Sequence, residues 1–97
     1  MLGTVNAHAQ ASQLDELLAQ HHCTYCHAAQ TPSLAPPFDR IAARYRHVPD
    51  AAARIEHTLR AGGPNHWGDL PMPPPEDRGG PLTAVEARVL AEWVLRQ

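Results

Sequence analysis

Lysine is absent from this chain of 97 residues: all eight basic residues are arginine, set against ten acids for a formal net charge of −2. The arginines are spread as well, five against three acids in residues 38–60 and three against five in residues 61–97. A nucleic-acid partner wants a clustered basic face, so that class is excluded, as is a partner surface built on a ring of lysines. No apolar run reaches the length of a bilayer-spanning helix, which excludes membrane insertion by the sequence as written. Aromatics are scarce, with two Trp, two Tyr and one Phe. Such a core is thin for its length, and one small domain is what it supports. Alternating apolar runs and internal repeats are also missing, so the fold class is all-α.

Proline and glycine are abundant instead, at ten and six residues. Residues 31–37, TPSLAPP, cannot be helix interior, because their prolines remove donors and restrict their neighbours. Residues 62–82 hold six prolines and five glycines in twenty-one positions. That is far beyond the usual structureless connection in a compact domain, so a function is expected of it. Its Trp67, Leu70 and Met72 argue that it packs on something.

Between these loops the apolar spacing predicts helices. Leu14, Leu17 and Leu18 follow Ser12, which has N-cap character, so a first helix is expected from Gln13 to His21 or His22. Phe38, Ile41, Ala42 and Tyr45 mark a second. Asp50 is placed to cap a third, which turns Ile55 and Leu59 inward and stops at Gly62. Thr83 with Glu86 forms a capping-box signature ahead of Ala87, Leu90, Ala91 and Val94, with Trp93 flanking the stripe. Residues 1–11 contain Ala7-His8-Ala9 and Ala9-Gln10-Ala11, which are similar to the end of a secretory signal, although no charged region precedes them. They are read as a signal remnant or a disordered N-terminus, leaving 12–97 as the domain.

Chemistry concentrates in HHCTYCHAAQ, residues 21–30, which holds both cysteines of the chain and three of its seven histidines. Cys23-Thr24-Tyr25-Cys26-His27 reads C-x-x-C-H, the attachment sequence of c-type haem. Two thiols at this spacing can add to the two vinyl groups of one porphyrin, and the next histidine is carried under the ring to ligate iron. A Cys23–Cys26 disulfide would close a tiny loop and leave His27 without a purpose. A thioredoxin-like pair wants a βαβ context, and structural zinc would have to recruit His47, His57 or His66 without a recognisable pair spacing.

Given haem, the proline-rich loop must cover the opposite face of the ring, and Met72 in LPMPPP is the candidate sixth ligand. Thioether sulfur favours reduced iron, and Pro71, Pro73, Pro74 and Pro75 would hold it at low entropic cost. His47, His57 and His66 are the rivals. Core packing is the ordinary role of a methionine, but the only other one is Met1.

At this point the chain resembles the small bacterial class I monohaem cytochromes c, the short type that donates electrons to nitrite reductase or a terminal oxidase. The matching stretches are CTYCH, LAPPF, LRAGGPNHWGDLPMPPP and LTAVEARVLAEWVLRQ, in that order, within residues 13–97. The resemblance implies four to five short helices around one haem, with the first and last helices crossing through Leu14, Leu17 and Leu18 against Leu90, Trp93 and Val94. It implies Cys23 and Cys26 as thioether anchors, His27 as proximal ligand and Met72 as distal ligand. Pro36 would accept from the other ring nitrogen of His27, and Trp67 would give its indole N–H to a haem propionate. Two residues depart from the family pattern: Ala35 stands where glycine is usual, and Pro75 where an asparagine often reaches the methionine sulfur. The connection EDRGGP, residues 76–81, is also longer than the family's and is expected to be a surface bulge.

The implied protein is a periplasmic one-electron carrier with haem c cycling between Fe(III) and Fe(II), with no catalytic residues. It would exchange electrons in brief encounters with an upstream quinol-oxidising complex and a downstream reductase or oxidase. The alternative is a haem-based sensor or peroxidase-like module in which Met72 does not bind and the sixth position is open.

Overall fold

Five α-helices carry the fold: α1 (Ala7–Gln20), α2 (Cys23–Cys26), α3 (Phe38–Tyr45), α4 (Ala51–Ala61) and α5 (Ala84–Leu95), with a short 3-10 turn at Pro75–Asp77. The computed structural model describes residues 7–30, 35–63 and 72–97. Among these there is no strand, only an isolated antiparallel bridge between Gly63 and Met72.

The last helix is the hub. Thr83 Oγ1 accepts from the Glu86 amide and Glu86 Oε1 accepts from the Thr83 amide, so the expected capping box satisfies two donors that would otherwise be orphaned at the N-terminus of α5. From this start Ala87, Leu90, Ala91 and Val94 fall on one buried face. Two alanines four positions apart let neighbouring backbones approach closely, and α5 packs on α1, α3 and α4 at once. Leu17 of α1, Phe38 of α3 and Ile55 and Leu59 of α4 complete the core with Leu82. Leu14, Leu18 and Trp93 are partly buried against it, so the expected pairing of first and last helices is present. Arg88 ties α5 to Glu56 of α4 at 3.0 Å; exposed pairs of this kind contribute little to stability.

Several local expectations are corrected. The first helix starts at Ala7, six positions before Gln13, because Ala7, Ala9 and Ala11 are the strongest helix formers available and carry the turn backwards. Ser12 therefore lies within the helix instead of capping it. Asp50 precedes α4 as expected but caps nothing with its side chain. Its φ of 59° is left-handed, whereas a capping side chain reaches the first amides from an extended backbone.

His21, expected with His22 at the exposed end of the first helix, is 1% exposed. The chain stops α1 at Gln20 and swings through His22 at φ 54°, which turns His21 inward beneath the 76–81 segment while His22 stays outside. Both His21 ring nitrogens are buried without a partner among the described residues. Burial lowers the His21 pKa from 6.5, Arg78 pushes the same way, Glu86 opposes and His22 adds slightly to the lowering. A depressed folded-state pKa means that the unfolded chain binds the extra proton, so this contribution to stability is present above about 6.5 and is lost as pH falls below it. Thermal melts of His21→Leu are expected to lose part of the wild-type drop in Tm between pH 7 and pH 5. An unchanged drop would place the acid sensitivity elsewhere.

Candidate functional site

The C-x-x-C segment is a single helical turn, α2, so Cys23 and Cys26 at i and i+3 share a face. His27 caps it, its amide donating to the Cys23 carbonyl at 3.0 Å, and the chain then leaves the helix. Three backbone bonds fasten the following loop beside it. The amides of Ala35, Phe38 and Asp39 donate to the carbonyls of Cys26, Ala28 and Ala29 at 3.1, 2.8 and 3.2 Å. Ala35 manages this without a positive φ, so the glycine usual at this place is not needed by the backbone here.

This fastening puts the Pro36 carbonyl 2.7 Å from Nδ1 of His27. A carbonyl only accepts, so Nδ1 carries the proton and Nε2 keeps its lone pair. Burial lowers the His27 pKa below 6.5; the bond to Pro36 raises it and Arg78 lowers it further, and the net result is a neutral imidazole at pH 7. The ring also stacks on Phe38, with centroids 5.3 Å apart and planes 27° apart, and Phe38 meets Trp93 edge-on at 4.9 Å and 77°. An aromatic wall rooted in α5 thus fixes the plane of His27. From spacing alone Phe38 and Trp93 are only helix-face residues. The available signal was an aromatic directly after the Pro36-Pro37 pair.

Across from this wall, Met72 is held by its main chain. Gly63 and Met72 exchange two hydrogen bonds, each 3.1 Å, which anchor Met72 just beyond the end of α4. Between the two walls lies a cleft of about 410 Å³ lined by Cys23, Cys26, His27, Met72, Pro73 and Arg78, among others. Its exposed lining is mostly apolar. Cys23 and Cys26 are unbridged. Burial raises the Cys23 thiol pKa above 9.0 despite the opposing charge of Arg78, so it stays protonated at neutral pH.

The segment expected to bulge at the surface does not simply do so. Arg78 turns inward, and Gly79, at φ 121°, brings its backbone against Gln20 and His21 of the first helix and its end. No sequence signal pointed to Arg78, since its partners are backbone carbonyls, those of nearby Pro73 and of Leu59 in the distant α4. Trp67 and the rival ligand His66 lie outside the described residues. His47 and His57 are exposed on the α3–α4 side and do not line the cleft. No cluster of three or more His, Cys, Asp or Glu side chains suited to a metal ion occurs among the described residues.

The donor set suits a porphyrin: two thiols on one edge of an apolar cleft, an imidazole with its free nitrogen turned from its backbone acceptor, and a thioether on the facing segment. Such a fold and site define a covalent haem protein.

Comparison with known proteins gives the particular family. No protein-family model matches the chain. It is 37% identical over 81 residues to cytochrome c-551 of Azotobacter vinelandii, covering 84% of this chain and 93% of that one. It is 32% identical over 91 residues to cytochrome c-552 of Nitrosomonas europaea, covering 94% and 82%. The crystal structure of wild-type cytochrome c552 from N. europaea superposes with a TM-score of 0.74 at 30% identity, covering 84% of this chain and 96% of that chain. The chain belongs to the small class I monohaem cytochromes c. It is accordingly a haem electron carrier that works with redox partner proteins, with one haem c attached through Cys23 and Cys26. Among the described residues no helix is long and apolar enough to cross a membrane.

Proposed function

We propose that this protein is a periplasmic one-electron carrier whose haem iron is held between His27 and Met72. The observation that supports the reading is the 2.7 Å bond from His27 Nδ1 to the Pro36 carbonyl, which leaves the other ring nitrogen unprotonated and able to ligate iron. When bound, the haem supplies an iron that cycles between Fe(III) and Fe(II). The protein's own residues do the rest. Burial keeps the imidazole neutral, Pro36 and Phe38 fix its orientation, and the hydrogen bond increases its basicity as a ligand. The Gly63 clasp and the flanking prolines hold the thioether facing it, and the apolar lining keeps water from the iron. With both axial positions filled there is no place for a substrate, so no residue has a catalytic role. Trp67 retains its assignment from sequence, an indole N–H given to a haem propionate.

Tyr25, 77% exposed within the attachment turn, marks the edge near Cys23–Ala28 through which electrons would pass. The upstream partner is a quinol-oxidising complex and the downstream partner a reductase or oxidase. Export is supported by the small-residue patterns at Ala7–Ala11, and the N-terminal sequence of protein recovered from a periplasmic fraction tests it.

Optical spectra of the haem-loaded protein test the ligation. Sharp, split bands in the reduced form and a weak far-red band in the oxidised form are expected, together with slow, weak uptake of carbon monoxide. Fast, tight carbon monoxide binding to the reduced wild type would mean an open sixth position and would sink the reading.

A further inference from the structure

The turn that follows the Met72 segment delivers a charge into the haem cleft. Arg78 Nε donates to the Pro73 carbonyl at 3.1 Å, and Nη2 donates to the Leu59 carbonyl at 2.7 Å, in the last turn of α4. These bonds pin the guanidinium between α4 and the residue next to Met72. Nη1 is buried and has no partner among the described residues. The side chain lines the cleft beside Cys23, Cys26, His27 and Met72, and its field acts on both Cys23 and His27. No ion pair to it occurs among the described residues. Glu76 is the acid whose charge acts on it, and Asp77 stands exposed at the cleft rim.

We infer that Arg78 raises the reduction potential of this carrier, as a fixed positive charge in the cleft wall that favours the reduced haem. Reduction places one more negative charge on the haem group, supplied as a single electron by the redox partner. A guanidinium cannot be deprotonated to escape the low-dielectric site, so its attraction for that added charge is always present. At a separation of ~10 Å and an effective dielectric of ~20, such a charge is worth roughly tenfold in the Fe(III)/Fe(II) equilibrium. The exposed arginines of α3 and α4 are screened by water and salt, whereas this one, partly buried in the cleft wall, is screened less.

The inference rests on the haem carrier described above. The test is an equilibrium redox titration of haem-loaded wild type, Arg78→Lys, Arg78→Gln and Arg78→Met at one ionic strength, with the far-red sulfur band read in the same samples. Two neutral variants are used so that either one folding suffices. The neutral variants are expected to shift the midpoint downward by about tenfold in equilibrium constant, 59 mV for one electron, with the far-red band retained. Arg78→Lys is expected to stay within about threefold of wild type. A neutral variant that titrates like wild type overturns the inference, and so does Arg78→Lys shifting as far as the neutral forms. Loss of the far-red band in both neutral variants also overturns it, because Arg78 would then act by holding Met72 and not by its charge. Absence of that band from the wild type itself would instead break the Met72 ligation, a separate failure.

Discussion

Met72→Ala should erase the far-red band of the oxidised protein, lower its midpoint potential and open the reduced iron to carbon monoxide. The expected shift is on the order of 0.2 V, a quarter of the roughly 0.8 V span that axial-ligand identity covers. The reason is the softness of thioether sulfur, which stabilises the reduced iron. Removing it leaves water or a stronger donor in its place, and both favour Fe(III). Met72 is also partly buried against the hydrophobic core, so truncation alone confounds ligation with packing. Met72→Leu separates them, since it keeps apolar volume and the backbone clasp to Gly63 while deleting the sulfur. It should lose the band and the potential as completely as Met72→Ala, with a smaller fall in Tm. His66→Ala should leave the band in place. A Met72→Leu protein that kept the far-red band would hand the sixth position to another residue.

The second large effect is mechanical. Gly79→Ala is expected to cost about 3 kcal/mol or more, because two penalties fall on one atom. Its φ of 121° is a conformation that side chains rarely adopt, a strain of roughly 1–3 kcal/mol. In addition, a Cβ built there collides with the Gln20 carbonyl, which is backbone and cannot rotate away. Gly80 is the internal control. It has a similar φ of 105°, yet nothing lies within 4 Å of its Cβ position. Gly80→Ala should therefore show the conformational strain alone. For a domain of this size a further 2 kcal/mol corresponds to roughly 8–16 °C in Tm. Thermal melts of the two variants in the haem-loaded form check this, and equal Tm values would show that the segment does not press on the end of α1.

The sequence carried the parts of this fold whose cause is local. The capping box at Thr83 and Glu86 and the stop of α4 at Gly62 each follow from residues within four positions of one another, and both stand where expected. The errors lie where tertiary contact decides. Ser12 has the chemistry of a cap, yet alanines upstream extend the helix past it. Asp50 has the chemistry and the place of a cap, but a left-handed backbone turns its side chain from the amides. His21 reads as surface because histidine is usually part-exposed, and it is buried because the 76–81 segment folds over it. Spacing marked Cys23, Cys26 and His27, and the proposed sixth ligand Met72 was picked out by its thioether and its proline-rich setting. Arg78 was invisible, since no local pattern predicts an arginine whose partners are the carbonyls of Leu59 and Pro73.

The paired bonds between Gly63 and Met72 have a consequence for how this molecule can change. They knot the two ends of residues 64–71 with main-chain atoms, so the knot does not depend on which side chains lie between them. The backbone position of Met72 is therefore set by main-chain atoms and withstands replacement of the Met72 side chain.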